Sequence, residues 1–186
     1  MSDRPKIPRA AALKVADEIV ARLTPCCERI AIAGSLRRGK SEVGDVEILY
    51  IPKMSERADG LFDRRIISVA SEVIDGLLTS GYFSKRPSKT GVFSWGEANK
   101  LAIHTASGIP VDLFATDAPR WWVSLVIRTG SKDTNLALTT GANRKGATLM
   151  AYGHGVKWSD GTVTAATSEQ HVFEMCGVPY KEPKDR

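Results

Sequence analysis

Apolar residues recur at helical spacing from Pro8 to Leu23, through Leu13, Ala16, Ile19, Val20 and Leu23, and Pro25 ends the run, so the pattern predicts an amphipathic helix. Alternation around Ile30 and Ile32 then marks a strand from Arg29 to Ala33, followed by a Gly34-Ser35 turn. A second strand is expected from Val43 to Ile51, closed by Pro52, with Val46, Ile48 and Tyr50 facing the core. The helical period returns from Leu61 to Thr79, through Ile66, Ile67, Val69, Ala70, Val73, Ile74, Leu77 and Leu78, and Gly81 supplies its stop. From Tyr82 to Ala115 the text is strand-like, with a pair Lys100 to Thr105 and Ile109 to Phe114 joined by Ala-Ser-Gly.

After Pro119 the pattern turns helical again. Trp122, Leu125, Val126 and Thr129 line one face, Ser131 can cap a following helix to about Lys145, and Gly146 fits its end. A short β segment around Leu149 to Trp158 precedes a last helix, where Thr167-x-x-Gln170 reads as a capping box and Gly177-x-Pro179 as a stop. The expected class is α+β. A mixed β-sheet with flanking helices occupies residues 1–117, a smaller and mainly helical part occupies 118–186, and Asp117-Ala118-Pro119 is the boundary.

Composition narrows the class. With 186 residues, 42% hydrophobic and 25% charged, the chain can bury a core as one compact unit or as one domain with a small appendage. The apolar stretches fall well short of the roughly 20 residues that cross a bilayer, and the N-terminus has no apolar signal core. A soluble, intracellular, cytoplasmic protein without a membrane partner is expected, and a monomer. Cys26, Cys27 and Cys176 are odd in number and lack zinc or disulfide spacing, so they read as buried thiols or bystanders. His104, His154 and His171 are scattered and read as structural or surface residues. A net charge of +5 and a pI near 9.2 permit a polyanionic partner.

The candidate chemistry sits in residues 34–49. On a strand, Asp45 and Glu47 point to the same face, roughly 7 Å apart at Cα. Two carboxylates so placed repel unless a cation lies between them, and hard divalent ions such as Mg2+ prefer oxygen ligands. An edge strand with a solvated acidic face is the plain alternative. Gly34-Ser35-Leu36-Arg37-Arg38 lies just upstream and favours a metal-and-triphosphate arrangement, although an arginine pair is often only surface charge. Asp112, between Val111 and Leu113, is either a surface residue or part of a buried site. If its strand lies beside Val43 to Ile51, it becomes a third carboxylate.

Gly34-Ser35-Leu36-Arg37-Arg38, Gly44-Asp45-Val46-Glu47, Val111-Asp112-Leu113 and Thr129-Gly130-Ser131 with Asn135 together resemble the family X DNA polymerases of the DNA polymerase beta type. The similarity continues through Ala151-Tyr152-Gly153, Thr167-Ser168-Glu169-Gln170 and Gly177-Val178-Pro179-Tyr180, and so spans about residues 8–182. The resemblance implies a nucleotidyltransferase palm followed by a C-terminal nucleotide- and DNA-binding subdomain. It implies that Asp45, Glu47 and Asp112 are catalytic and hold two magnesium ions, with manganese as a substitute. It further implies that Gly34, Ser35, Arg38 and Gly44 meet the phosphates of a nucleoside triphosphate, while Thr129, Gly130 and Asn135 meet its sugar and base.

The expected activity is template-directed addition of nucleotides to a primer 3′-hydroxyl, on a primer-template or a short gap in DNA. Expected DNA contacts are Lys85, Arg86 and Lys89 before Gly91, and Lys132, Arg144 and Lys145 around the second half's helix; a solvated loop is the plain reading of the first group. Five such contacts would give a log-log salt slope of about −4 to −5. Some features depart from the family. Glu47 stands where aspartate is usual, Ile127-Arg128 replaces an aromatic pair that shapes the sugar pocket, and Pro110 and Thr139 replace basic residues. Weak discrimination between deoxy- and ribonucleotides is therefore expected. Only one helix precedes Ile30, so removal of 5′-deoxyribose phosphate is not expected. A template-independent or non-DNA nucleotidyltransferase and a non-catalytic nucleic-acid-binding module remain as alternatives.

Overall fold

The segment Val46–Pro52 carries apolar side chains on both faces, and Val46, Ile48, Leu49, Tyr50 and Ile51 are all buried. A strand of that kind needs a neighbour on each edge and cover on each side. In the computed structural model, which describes residues 6–59, 63–88 and 90–186, it has both. The elements in chain order are β1 (Ile7–Pro8), α1 (Arg9–Leu23), β2 (Cys27–Ile32), α2 (Gly34–Arg37), β3 (Glu42–Val43), β4 (Val46–Pro52), β5 (Met54–Asp59), β6 (Asp63–Ser68), α3 (Val69–Thr79) and β7 (Phe83–Lys85). They continue with β8 (Asn99–His104), β9 (Ile109–Ala115), α4 (Trp121–Thr129), α5 (Lys132–Arg144), β10 (Ala147–Leu149), β11 (Gly155–Trp158), β12 (Val163–Ala165) and α6 (Glu169–Met175).

The main sheet has the strand order β2-β4-β9-β8-β7. Its pairings are antiparallel except β4 with β9, which run parallel and place Glu47 opposite Asp112. On one face Ile48, Tyr50, Val111 and Leu113 pack with Ile19 and Leu23 of α1 and Ile74 of α3. On the other, Leu49, Ile51 and Phe114 pack against Trp121 and Leu125 of α4. Val123 and Val126 of the same helix belong instead to a second core with Leu138, Val156, Phe173 and Cys176. Helix α4 thus joins the sheet to the C-terminal part, and no helix among the described residues is long and apolar enough to cross a membrane.

Several sequence expectations need correction. Leu61 and Phe62 lie outside the described residues; within them the expected helix begins at Val69, because Asp63–Ser68 pairs antiparallel with Met54–Asp59, and Ser68 caps the helix by accepting from the Ser71 amide at 3.1 Å. Paired β-branched Ile66 and Ile67 suit an extended pairing better than a first helical turn. The strand expected over Val43 to Ile51 is interrupted at Gly44 and Asp45, since Glu42–Val43 pairs with Ile7–Pro8 and not with the main sheet. Gly34-Ser35 is a single helical turn, entered at Gly34 with φ of 63°. The last helix is capped by Ser168, which accepts from the His171 amide, and not by Thr167. The C-terminal part is also less helical than expected, because β10, β11 and β12 form a three-stranded antiparallel sheet. The cysteines are free thiols; burial pushes Cys27 and Cys176 up to about 11.

Candidate active site

Alternation along β4 and β9 sets the site. Because Val46, Ile48 and Tyr50 are buried against α1 and α3, Glu47 must project from the opposite face, with Leu49 and Ile51. The same parity puts Asp112 beside Phe114, and the parallel register brings Asp112 directly across from Glu47. Asp45 lies one residue before β4 and is half-buried, as is Gly44. The Glu47 carboxylate rests against Gly34, where an added Cβ would lie 1.8 Å from its Oε2. Burial first, then Asp45 and Asp112, push the Glu47 carboxyl up to about 8, while Arg128 and Arg38 oppose them.

Three arginines answer this charge. Arg38 donates to the backbone carbonyl of Thr129, its Nε is buried without a partner, and burial lowers its pKa against the pull of Glu47. Arg128 lies 3.5 Å over the Phe114 ring, and burial lowers its pKa against Glu47, Tyr152 and Asp112. Arg86 donates through Nη2 to Asp112 Oδ1 in an ion pair whose side chains are only 12% and 13% exposed. Among the described residues, no group of three or more His, Cys, Asp or Glu side chains is gathered as a ready metal cage. The donor chemistry nevertheless fits a hard divalent cation: Glu47 faces Asp112 across the parallel pair, and burial first, then the charges of Asp45 and Asp112, raises its carboxyl.

A second cluster ties the Gly34–Arg37 turn to the C-terminal part. Arg37 donates to Thr129 Oγ1 at 2.6 Å and to both oxygens of Glu169, at 2.9 and 2.6 Å. Glu169 also accepts from Arg186 at 2.9 Å, and that guanidinium lies over Phe173 and Tyr180 and is fully buried. Thr129 therefore receives Arg37 on its hydroxyl and Arg38 on its carbonyl.

The remaining sequence-derived positions divide. Ser35 is half-buried on α2, and Gly130 is buried with its α-carbon facing Arg38, where an added Cβ would lie 3.1 Å from Nη1. Asn135 donates from Nδ2 to the Ile127 carbonyl at 2.9 Å, and its Oδ1 is buried without a partner. Lys85 is exposed over Trp95, Lys132 and Arg144 are exposed on α5, and Lys145 is exposed but donates to the Glu174 carbonyl. Lys89 lies outside the described residues. Arg86, expected at DNA, is turned inward onto Asp112, a placement that follows from the strand register. Sequence reading missed the placements of Arg128, Glu169 and Arg186; Glu169 directly follows a capping serine and stands in the Thr167-Ser168-Glu169-Gln170 motif, which gave it no role.

Residues 124–186 match the family model described as the DNA polymerase beta thumb. Among curated proteins, the chain is similar to DNA polymerase lambda of Rattus norvegicus, 27% identical over 168 residues, which is 82% of this chain and 28% of that protein. The chain therefore spans less than a third of the length of this relative. Both likenesses point toward the family X polymerases, the first through the C-terminal third of the chain alone.

Proposed function

We propose that the chain is a nucleotidyltransferase that adds nucleotides to a primer 3′-hydroxyl opposite a DNA template, releasing pyrophosphate, as in short-gap filling during repair or replication. The observation that carries this reading is the parallel β4–β9 register, which sets Glu47 opposite Asp112 on the face toward α4, with Gly34 against Glu47. Residues 1–117 act as the palm and 118–186 as the nucleotide- and DNA-binding subdomain.

Asp45, Glu47 and Asp112 would hold two divalent ions. Such ions, when bound, supply charge neutralisation at the attacking and leaving oxygens. Asp112 accepts the proton from the primer hydroxyl. Arg38, Ser35 and the Gly44 amide bind the triphosphate, Arg38 already lying between Glu47 and Thr129. Thr129, Gly130 and Asn135 orient the sugar and base; the unpartnered Asn135 Oδ1 is a free acceptor at that position. Lys85, Lys132, Arg144 and Lys145 supply phosphate contacts to DNA.

Extension of a labelled primer with Mg2+ and one nucleotide at a time tests the reading. Addition of the complementary nucleotide alone supports it. Addition regardless of template moves the assignment to a template-independent enzyme, and DNA binding without turnover to a non-catalytic module. Asp112→Ala is expected to abolish insertion while leaving DNA affinity within a few fold.

A further inference from the structure

The main sheet places one arginine in line with the two facing acids. β7 pairs with β8 through Lys85 and Ala102, so the next residue, Arg86, falls level with Leu101 and donates its backbone N–H to the Leu101 carbonyl at 2.9 Å. Leu101 is the register partner of Asp112, and Asp112 is that of Glu47. Arg86, Leu101, Asp112 and Glu47 thus form one row across four strands. Cross-strand neighbours in register project to the same face, so the guanidinium is delivered to the carboxylates by strand pairing.

The way Arg86 is held differs from a purely structural arginine in the same protein. Arg37 grips Glu169 with two parallel bonds and adds a third to Thr129. Arg86 reaches Asp112 from Nη2, its Nη1 makes only a 3.3 Å contact with the neighbouring Pro87 carbonyl, and its Nε is buried without a partner. A guanidinium bound through a single donor gives up much of what a fork-to-fork pair gains. Its retention at the acids is explained by their charge.

Building on the two-ion reading of these acids, we propose that Arg86 is an electrostatic lock on the site: it serves as a counter-ion of Asp112 in the cation-free protein and must be displaced before a divalent ion binds there. Arg86 is a positioning residue in this scheme, setting the cation concentration at which the site assembles.

Titration of Mn2+ alone into the full chain, without nucleotide or DNA, tests the lock by the paramagnetic resonance signal of free Mn2+. Arg86→Gln, which removes the charge and keeps hydrogen-bond donors, is expected to bind Mn2+ about tenfold more tightly than the unmodified chain, the scale of losing one charge-assisted competitor. Arg86→Lys, whose ammonium lacks the planar fork, is expected to fall between them and carries the test should the glutamine variant fail to fold. Mn2+ should also raise the melting temperature of Arg86→Gln more than that of the unmodified chain. Equal or weaker Mn2+ binding by the folded variants, with Asp112→Asn still impairing it, overturns the lock and leaves the acids as ligands. Mn2+ binding absent from the unmodified chain and from both Arg86 variants overturns the lock and the two-ion reading together.

Discussion

Arg37 and Glu169, 132 residues apart, are joined by two parallel hydrogen bonds, and Arg186 completes the cluster from the opposite side of the carboxylate. The pair links the first turn after β2 to the start of the last helix, so the turn that carries Gly34 cannot shift independently of the C-terminal part. Removing the shared acid leaves a fully buried guanidinium unpaired. Glu169→Ala is expected to destabilise the chain by about 3–5 kcal/mol in urea unfolding at neutral pH. Burial raises the Glu169 pKa, but the bonds from Arg37 and Arg186 outweigh it and the net shift is downward. The stabilisation is therefore present above the ordinary carboxylate range and lost as pH falls through the lowered value. The deficit of a Glu169→Gln variant should shrink in acid.

Gly34 occupies a position that admits no other residue. With φ at 63° and a Cβ site 1.8 Å from Glu47 Oε2, Gly34→Ala pushes the carboxylate out of line. The backbone alone costs about 1–2 kcal/mol. Single-nucleotide insertion should fall by about a hundredfold or more while secondary structure, followed by circular dichroism, is retained; near-normal insertion would show that Glu47 need not stay where Gly34 allows it.

The raised Glu47 carboxyl makes the cation-free protein sensitive to base. Its value in the fold is about 8 against 4.5 ordinarily, so the folded state binds the extra proton, and the contribution of Glu47 to stability is fully present below 4.5 and lost as pH rises toward 8. Glu47→Gln should flatten that decline and be more stable than the unmodified chain at pH 8 by on the order of 3 kcal/mol, measured in chelator. A parallel pH dependence of the two proteins would remove burial as the cause.

Much of this arrangement was legible in the sequence. Period-2 parity put Glu47 and Asp112 on the face away from the core, their meeting conditional on strand pairing, and the Ser131 cap and Gly146 stop of α5 appear where local chemistry places them. What local pattern could not supply was pairing between distant segments. Ile66 and Ile67 fit a helix until a partner strand at Ser55 and Glu56 claims them. Arg86 reads as a loop cation until β7, β8 and β9 align it with Asp112. Glu169 and Arg186 become a site only when α6 meets α2, which no spacing rule encodes.

DNA binding should depend on salt less steeply than six free cations would imply. With Arg86 held by Asp112, Lys85, Lys89, Lys132, Arg144 and Lys145 remain as expected contacts. Five phosphates neutralised give a log-log slope of about −4 to −5 in fluorescence anisotropy titrations. A slope near zero would exclude a nucleic-acid partner.

Sugar selection should be weak. Ile127 and Arg128 line a cavity of about 170 Å³ with Phe114 and Tyr152, and Arg128 is drawn onto the Phe114 ring and not stacked as an aromatic wall. Insertion rates for matched deoxy- and ribonucleotides should differ by about a hundredfold or less, the scale on which an apolar pocket rejects an added hydroxyl. A difference of several thousandfold would rule this out.

The parallel pairing of β4 with β9 also sets the order in which the proposed site can form. Everything from β5 to β8 must be synthesised and threaded across before the second acid-bearing strand can dock. A nascent chain that has emerged only through residue 108 holds Asp45 and Glu47 but lacks Asp112. On the two-ion proposal, proteolytic fragments or stalled translation products that end before Ile109 are therefore expected to be inactive.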